Sequence, residues 1–119
     1  MKVIAALSII LGLFTSCAAQ NAIVEHGKTR SAKTLSGYVN DQSGTAIPDV
    51  QVRETSSDGK AQLRSTKTDA NGMWSLYPFV SGKTYCIEFS KPNFNTVRIR
   101  VKITDHSNEA ILVELPAAT

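Results

Sequence analysis

The sequence predicts an all-β fold, namely a seven-stranded antiparallel sandwich of Greek-key-like topology. From residue 35 onward, short runs alternate apolar and polar residues, which is typical of strands with one packed and one solvated face. Turn-forming glycine, asparagine, aspartate and proline residues separate these runs at regular spacing. No stretch repeats its apolar residues at the 3.6-residue period of an amphipathic helix, so nothing competes with the all-β prediction.

Residues 1–16 have the features of a secretory signal peptide. Lys2 supplies a positive charge, and only a serine and a glycine interrupt the apolar run from Val3 to Phe14. The run is shorter than the ~20 residues that span a bilayer. A charged start, a short apolar core and an exit of small residues indicate secretion, so we exclude this segment from the fold.

The end of this segment, Leu13 to Cys17, resembles a bacterial lipobox, in which a small residue such as Ser16 precedes the cysteine. The resemblance implies that Cys17 carries a diacylglyceryl group and becomes the new N-terminus. Ala18, which follows, implies an outer-membrane lipoprotein, and we expect its domain to face the periplasm. The alternative is ordinary cleavage after Ala18 or Ala19, which would release a soluble secreted or periplasmic protein.

Residues 17–34 are polar with little periodicity and are predicted to form a flexible tether. The folded domain is predicted to span 35–115, followed by a small tail, 116–119. Cys86 is the only cysteine of the domain, so an internal disulfide is excluded. It is out of phase with its inward neighbours, which leaves two interpretations: a half-covered hydrophobic side chain, or a thiol for intermolecular pairing.

The domain divides into seven predicted strands: 35–39, 49–55, 61–68, 73–77, 84–90, 94–103 and 109–115. The third strand is polar and is predicted to lie at a sheet edge. The sixth has the clearest alternation, with inward Val97, Ile99, Val101 and Ile103.

Three blocks of the domain resemble the carboxypeptidase regulatory-like domain, a seven-stranded sandwich of transthyretin-like topology. The matching residues are Gly37, Val39, Asp41, Gly44, Ile47, Pro48, Val50 and Val52, then Thr68, Asp69, Gly72, Trp74 and Leu76, then Gly82, Tyr85 and Ile87. All of them are expected in turns or in the core. The resemblance therefore implies a passive module, of the kind appended to carboxypeptidases and to the periplasmic end of TonB-dependent receptors.

No residue pattern predicts catalysis, a cofactor or a metal site. The hydroxyisourate hydrolases of the same fold need active-site histidines and a C-terminal Tyr-Arg-Gly-Ser, whereas here His106 is the only histidine of the domain and the chain ends in ELPAAT. A calcium loop starting at Asp69 would have Val80 at its closing position, which has no side-chain oxygen. The net charge of +3 does not indicate a nucleic-acid partner.

A stripe of basic residues is the strongest polar feature of the domain. Arg98, Arg100 and Lys102 alternate with the inward residues of the sixth strand, so their side chains share one face. One interpretation is a solvated face that discourages aggregation. The other is a binding face for an acidic envelope protein or an anionic glycan, with Tyr38 as an aromatic partner.

The sequence therefore predicts a non-catalytic cell-envelope lipoprotein that acts as a binding or accessory module, through a sheet face or an exposed edge strand. The first alternative is a structural subunit whose edge strand pairs with other copies of the chain. A transthyretin-like hydrolase is the last alternative.

Overall fold

The computed structural model describes residues 23–25 and 27–118, so the predicted signal peptide and Cys17 lie outside the described residues. Within this part of the chain there are nine strands: β1 (Ile23–Glu25), β2 (Arg30–Ala32), β3 (Ser36–Asp41), β4 (Gln51–Thr55), β5 (Gln62–Lys67), β6 (Met73–Ser75), β7 (Thr84–Ser90), β8 (Thr96–Ile103) and β9 (Ile111–Leu115). It contains no helix long and apolar enough to cross a membrane.

The strands form two sheets that enclose one hydrophobic core. Sheet A has the order β8–β7–β4–β5, and both β1 and β2 pair with the other side of β8. Sheet B has the order β6–β3–β9. A single hydrophobic cluster draws residues from both sheets, which confirms the predicted all-β sandwich. The seven predicted strands are present as β3 to β9, and the other two precede them.

The strand directions correct the prediction of a wholly antiparallel fold. β3 and β9 pair in parallel, as do β1 and β2 with β8. The remaining pairs are antiparallel, so both sheets are mixed. Alternation of side chains gives the face of a strand but not its direction, which is why the sequence could not distinguish the two arrangements.

The segment 17–34 is not a tether throughout, because β1 and β2 lie within it. Val24 packs against the core, and Ala32 is fully buried. The Thr104 N–H donates to the Ala32 carbonyl at 2.8 Å, which fastens the end of β2. Among the side chains whose burial the structure describes, each strand contributes one to the core, so neither shows the alternation by which longer strands are detected.

The core is built from the inward side chains of both sheets. The inward positions of β8 are almost wholly buried, as predicted: Val97, Ile99, Val101 and Ile103. Across the sandwich, Trp74 of sheet B meets Phe89 of sheet A edge to face, with ring centroids 5.3 Å apart. This geometry is a favoured arrangement for aromatic pairs, and both rings bury a large apolar area.

The turn before β6 is tight, as the sequence predicts. The Asp69 carboxylate accepts hydrogen bonds from the N–H groups of Asn71 and Met73, at 2.8 and 3.0 Å. Gly72 has φ of +76°, and a Cβ there would lie 2.7 Å from the Val39 carbonyl oxygen. Both the backbone conformation and the close approach therefore require glycine.

Candidate binding surfaces

The outer face of sheet A carries a buried carboxylate between two arginines. Strand register places Arg53, Glu88 and Arg98 side by side across β4, β7 and β8. One Glu88 oxygen accepts from Arg53 Nη2, and the other accepts from Arg98 Nη2 at 3.0 Å. Glu88 is only 7% exposed. The first residue of the predicted stripe is thus bound to an internal carboxylate.

The turn between β4 and β5 covers this cluster. A Cβ on Gly59 would lie 3.0 Å from the Arg98 guanidinium carbon, so the turn packs directly on that group. Within the turn, Asp58 accepts hydrogen bonds from the Ser56 hydroxyl at 2.6 Å and from the Lys60 N–H at 2.9 Å. These bonds, with the hydroxyl first, lower the pKa of Asp58 below its ordinary value of 3.8.

The other two residues of the stripe have a different environment. Arg100 Nε donates to the Thr29 hydroxyl at 3.3 Å, and its Nη2 donates to the Gly27 carbonyl. Both acceptors are neutral, so they orient the guanidinium without neutralising it. Lys102 is exposed and lies beside Ser31 of β2. The stripe is therefore two surfaces rather than one.

Two further cations lie at the edge of sheet A next to the second surface, although Arg30, in register with the buried Val101, points to the opposite face of that sheet. Arg30 Nη1 donates to the Leu112 carbonyl at 2.7 Å, which bridges β2 to β9, and Lys28 is exposed just before β2. We call Lys28, Arg30, Arg100 and Lys102 the basic corner. Among the side chains that the structure describes, no carboxylate forms an ion pair with any of the four.

An open groove of about 630 Å³ lies beside the basic corner, between β2 of sheet A and β9 of sheet B. It is lined by Lys28, Thr29, Arg30, Ser31, Glu109, Ala110 and Leu112. The lining is mostly cationic and hydroxyl-bearing on the β2 side. Sequence reasoning missed this site because residues 28–31 were assigned to the tether.

Tyr38 does not lie beside the stripe, contrary to the prediction. It belongs to β3, and its side chain is on the outer face of sheet B, on the far side of the core. Its neighbours in strand register are Met73 of β6 and Leu112 of β9. These three side chains, which we call the apolar row, are 44%, 43% and 51% exposed for Tyr38, Met73 and Leu112.

The sequence contains a signal for the apolar row, namely apolar residues at outward strand positions, but the sequence-based prediction included only Tyr38 among the three. Each of its residues is out of phase with a buried neighbour: Tyr38 with Val39, Met73 with Trp74, and Leu112 with Val113. An apolar residue at an outward position of an otherwise regular strand is the informative observation. The cross-strand register that aligns the three is not readable from the sequence.

Two further titratable side chains lie at half-buried or buried positions of sheet A. Cys86 lies on the outer face of sheet A between Thr55 and Arg100, and it is a half-buried free thiol. Glu54 lies on the inner face, where its carboxylate accepts from Arg64 Nε at 2.6 Å. That carboxylate is engaged by a fixed guanidinium, which disfavours it as a general acid or base.

Comparison with protein-family models identifies the family of the sandwich domain. The family model described as carboxypeptidase regulatory-like domain matches residues 34–116. The matched range covers β3 to β9 and so both sheets of the sandwich. No curated protein sequence matches the chain at a significant level.

Proposed function

This chain belongs to the carboxypeptidase regulatory-like domain family, and we propose that it is a non-catalytic cell-envelope lipoprotein whose sandwich docks another envelope protein as an accessory module. The observation that carries the proposal is the apolar row on the outer face of sheet B. Sheet A serves as the rigid support behind that face.

The surroundings of the apolar row have the composition of a protein interface. The row crosses all three strands of sheet B, with Ser36 and Ser75 paired on one side and Asn40 and Glu114 paired on the other. Protein interfaces combine an apolar centre with a polar rim, and tyrosine and methionine are enriched in them. Tyr38, at the centre, has the large rigid contact area that dominates binding energy at such sites.

The N-terminal segment supports the proposed location at a membrane. Only residues 18–22 separate Cys17 from β1, and six residue-to-residue steps span at most about 20 Å. A lipid on Cys17 would thus hold the sandwich close to the membrane surface. That position suits a module that acts on a neighbouring membrane protein.

Site-specific photo-crosslinking in the producing cells tests the docking face. A photoreactive residue at position 38 should give one discrete crosslinked product, whereas the same residue at position 65, on the exposed strand β5, should not. The additional change Met73→Ser should abolish the product, because it removes a neighbouring contact of the row. A product that survives Met73→Ser, or that forms equally from position 65, would overturn the proposal.

The lipid anchor has its own test. The mass of the N-terminal peptide from native membranes should show a lipid-sized increment on Cys17. Cys17→Ala should remove both the increment and the membrane association. An unmodified N-terminus in a soluble fraction would instead identify a diffusible binding protein and leave the docking face to be tested separately.

The open edge of β5 favours a second candidate, a self-associating subunit. β5 has six residues, and no described strand pairs with its outer side. Unpaired strand edges are templates for β-addition by another chain. Sedimentation of the purified protein at increasing concentration tests this candidate: dimerisation that Ser65→Pro prevents would support it, and a monomer at every concentration would exclude it.

A further inference from the structure

We propose that the basic corner and the adjoining groove form a second binding site, and that its ligand is an anionic polysaccharide carrying carboxylate groups. The site is separate from the docking face of sheet B, except that Leu112 lines the groove and also ends the apolar row. Its residues come mainly from β2 and β8. The family match includes β8 but begins after β2.

The first argument is uncompensated charge at a fixed position. Arg98, two residues before Arg100 on β8, forms an ion pair with the Glu88 carboxylate. Among the described residues, no carboxylate pairs with the four residues of the basic corner. Neutral acceptors hold the guanidiniums of Arg30 and Arg100 in place. A guanidinium has five N–H donors, so each retains donors for a carboxylate after these contacts.

The second argument is the spacing of the cations. Arg100 and Lys102 are two residues apart on one strand, a separation of about 7 Å. Two like charges this close on one face lie within one Debye length and repel each other. Arg30 is in register with the buried Val101, so its side chain lies on the other side of β2, where it reaches β9 and adds a third positive charge at the groove. A ligand with repeated negative groups relieves that repulsion, and a single small anion relieves it less.

The third argument distinguishes a glycan from an acidic peptide. An extended peptide gains much of its affinity from main-chain bonds to a sheet edge. Here the Leu112 carbonyl at the outer edge of β9 already accepts the Arg30 guanidinium, so peptide addition there would break that bond. The groove instead offers the hydroxyls of Thr29 and Ser31 and the Glu109 carboxylate, which are suitable partners for sugar hydroxyls.

The test uses the full-length protein as cells produce it, solubilised in detergent. Its affinity is measured for polygalacturonate, for neutral dextran and for polyglutamate at about 50 mM salt, where exposed charges are weakly screened. We expect binding to polygalacturonate that weakens as salt rises, and no binding to dextran. Polyglutamate should bind at least about fivefold more weakly, because it needs the occupied edge of β9.

Matched variants separate a local site from a general effect of net charge. The double variant Lys28→Gln/Lys102→Gln removes two charges from the basic corner without breaking any hydrogen bond that the structure shows. Lys60→Gln/Lys67→Gln removes the same charge from the turn before β5 and from its end. We expect the first pair to weaken polygalacturonate binding about fivefold or more and the second pair less than about twofold.

Four results would overturn the inference. The first three are no binding to polygalacturonate at low salt, equal losses for the two double variants, and tighter binding to polyglutamate through the same lysines, which would indicate an acidic protein instead. Tyr38→Ser should leave polygalacturonate binding unchanged. A loss with Tyr38→Ser would mean that the two surfaces are one site, and would also contradict the proposal.

Discussion

The outer faces of the two sheets differ in how their outward side chains are used. On sheet A, Arg53, Glu88 and Arg98 contact each other across β4, β7 and β8, and the Glu88 carboxylate is buried beneath a turn. On sheet B, the outward positions of all three strands expose large apolar side chains to solvent. The charged cluster at the centre of sheet A is therefore committed to stability, whereas the apolar row of sheet B is available for protein binding.

This difference shows why an outward position is a weak guide to function. Arg98 and Arg100 have the same phase on β8, yet one contacts a carboxylate and the other contacts only neutral groups among the residues described. The partner on the adjacent strand decides the outcome. The predictions that follow test the comparison, from the largest expected effect to the smallest.

Substitutions at two adjacent residues of β9 should differ most in their effect on the free energy of unfolding. Val113 is buried, so Val113→Ser should lower the free energy of unfolding by about 3 kcal/mol, through lost packing and an unpaired hydroxyl. Leu112→Ser, on the outer face, should change it by no more than about 0.5 kcal/mol. Urea denaturation measures both. A large loss for Leu112→Ser would mean that the apolar row stabilises the fold, and the comparison would fail.

Removal of the buried carboxylate of sheet A should cause the second-largest loss of stability. Glu88→Gln leaves Arg53 and Arg98 without their shared counter-charge, and we expect a loss of about 2 kcal/mol, below the range for fully buried pairs because both arginines are partly exposed. The matched control is Glu114→Gln on the outer face of sheet B, with an expected change within about 0.5 kcal/mol. Equal effects of the two substitutions would contradict the account.

A series along β8 sharpens the division of the basic stripe. Arg98→Gln should cost about 1 to 2 kcal/mol of stability, Arg100→Gln about 0.5 to 1, and Lys102→Gln less than about 0.5. The order follows the contacts: a buried carboxylate, then neutral acceptors, then no hydrogen bond that the structure shows. Equal losses at all three positions would indicate a single surface, as the sequence alone suggested.

The smallest effect concerns the turn that ends β3, the strand that carries Tyr38. The Ser43 hydroxyl and the Thr45 N–H donate to the Asp41 carboxylate and lower its pKa below 3.8. Because the folded-state pKa is the lower one, these bonds stabilise the fold above the unfolded-state pKa. The contribution is lost as pH falls through the folded-state value. NMR titration should show the Asp41 pKa rising toward 3.8 in Ser43→Ala, and an unchanged pKa would exclude this cause.

Local patterns of the sequence predicted the sandwich well. The alternation in β8 identified its buried residues, and the turn at Asp69 followed from residue types alone. The parallel pairing of β2 with β8 was not predictable, since it joins segments about seventy residues apart through one buried alanine. The binding surfaces were less predictable than the fold. Both the contact of Glu88 with Arg53 and Arg98 and the apolar row depend on the register between neighbouring strands, which the sequence does not show.

Hydroxyl-radical footprinting, applied to the purified protein and to intact cells, tests the central claim most directly. The apolar row should be oxidised in the purified protein and protected in cells, where the partner covers sheet B. Tyr77, which is 83% exposed in the loop after β6, serves as the internal reference and should react in both samples. Equal oxidation of Tyr38 and Met73 in the two samples, or protection of Tyr77 alone, would contradict the assignment of sheet B as the docking face.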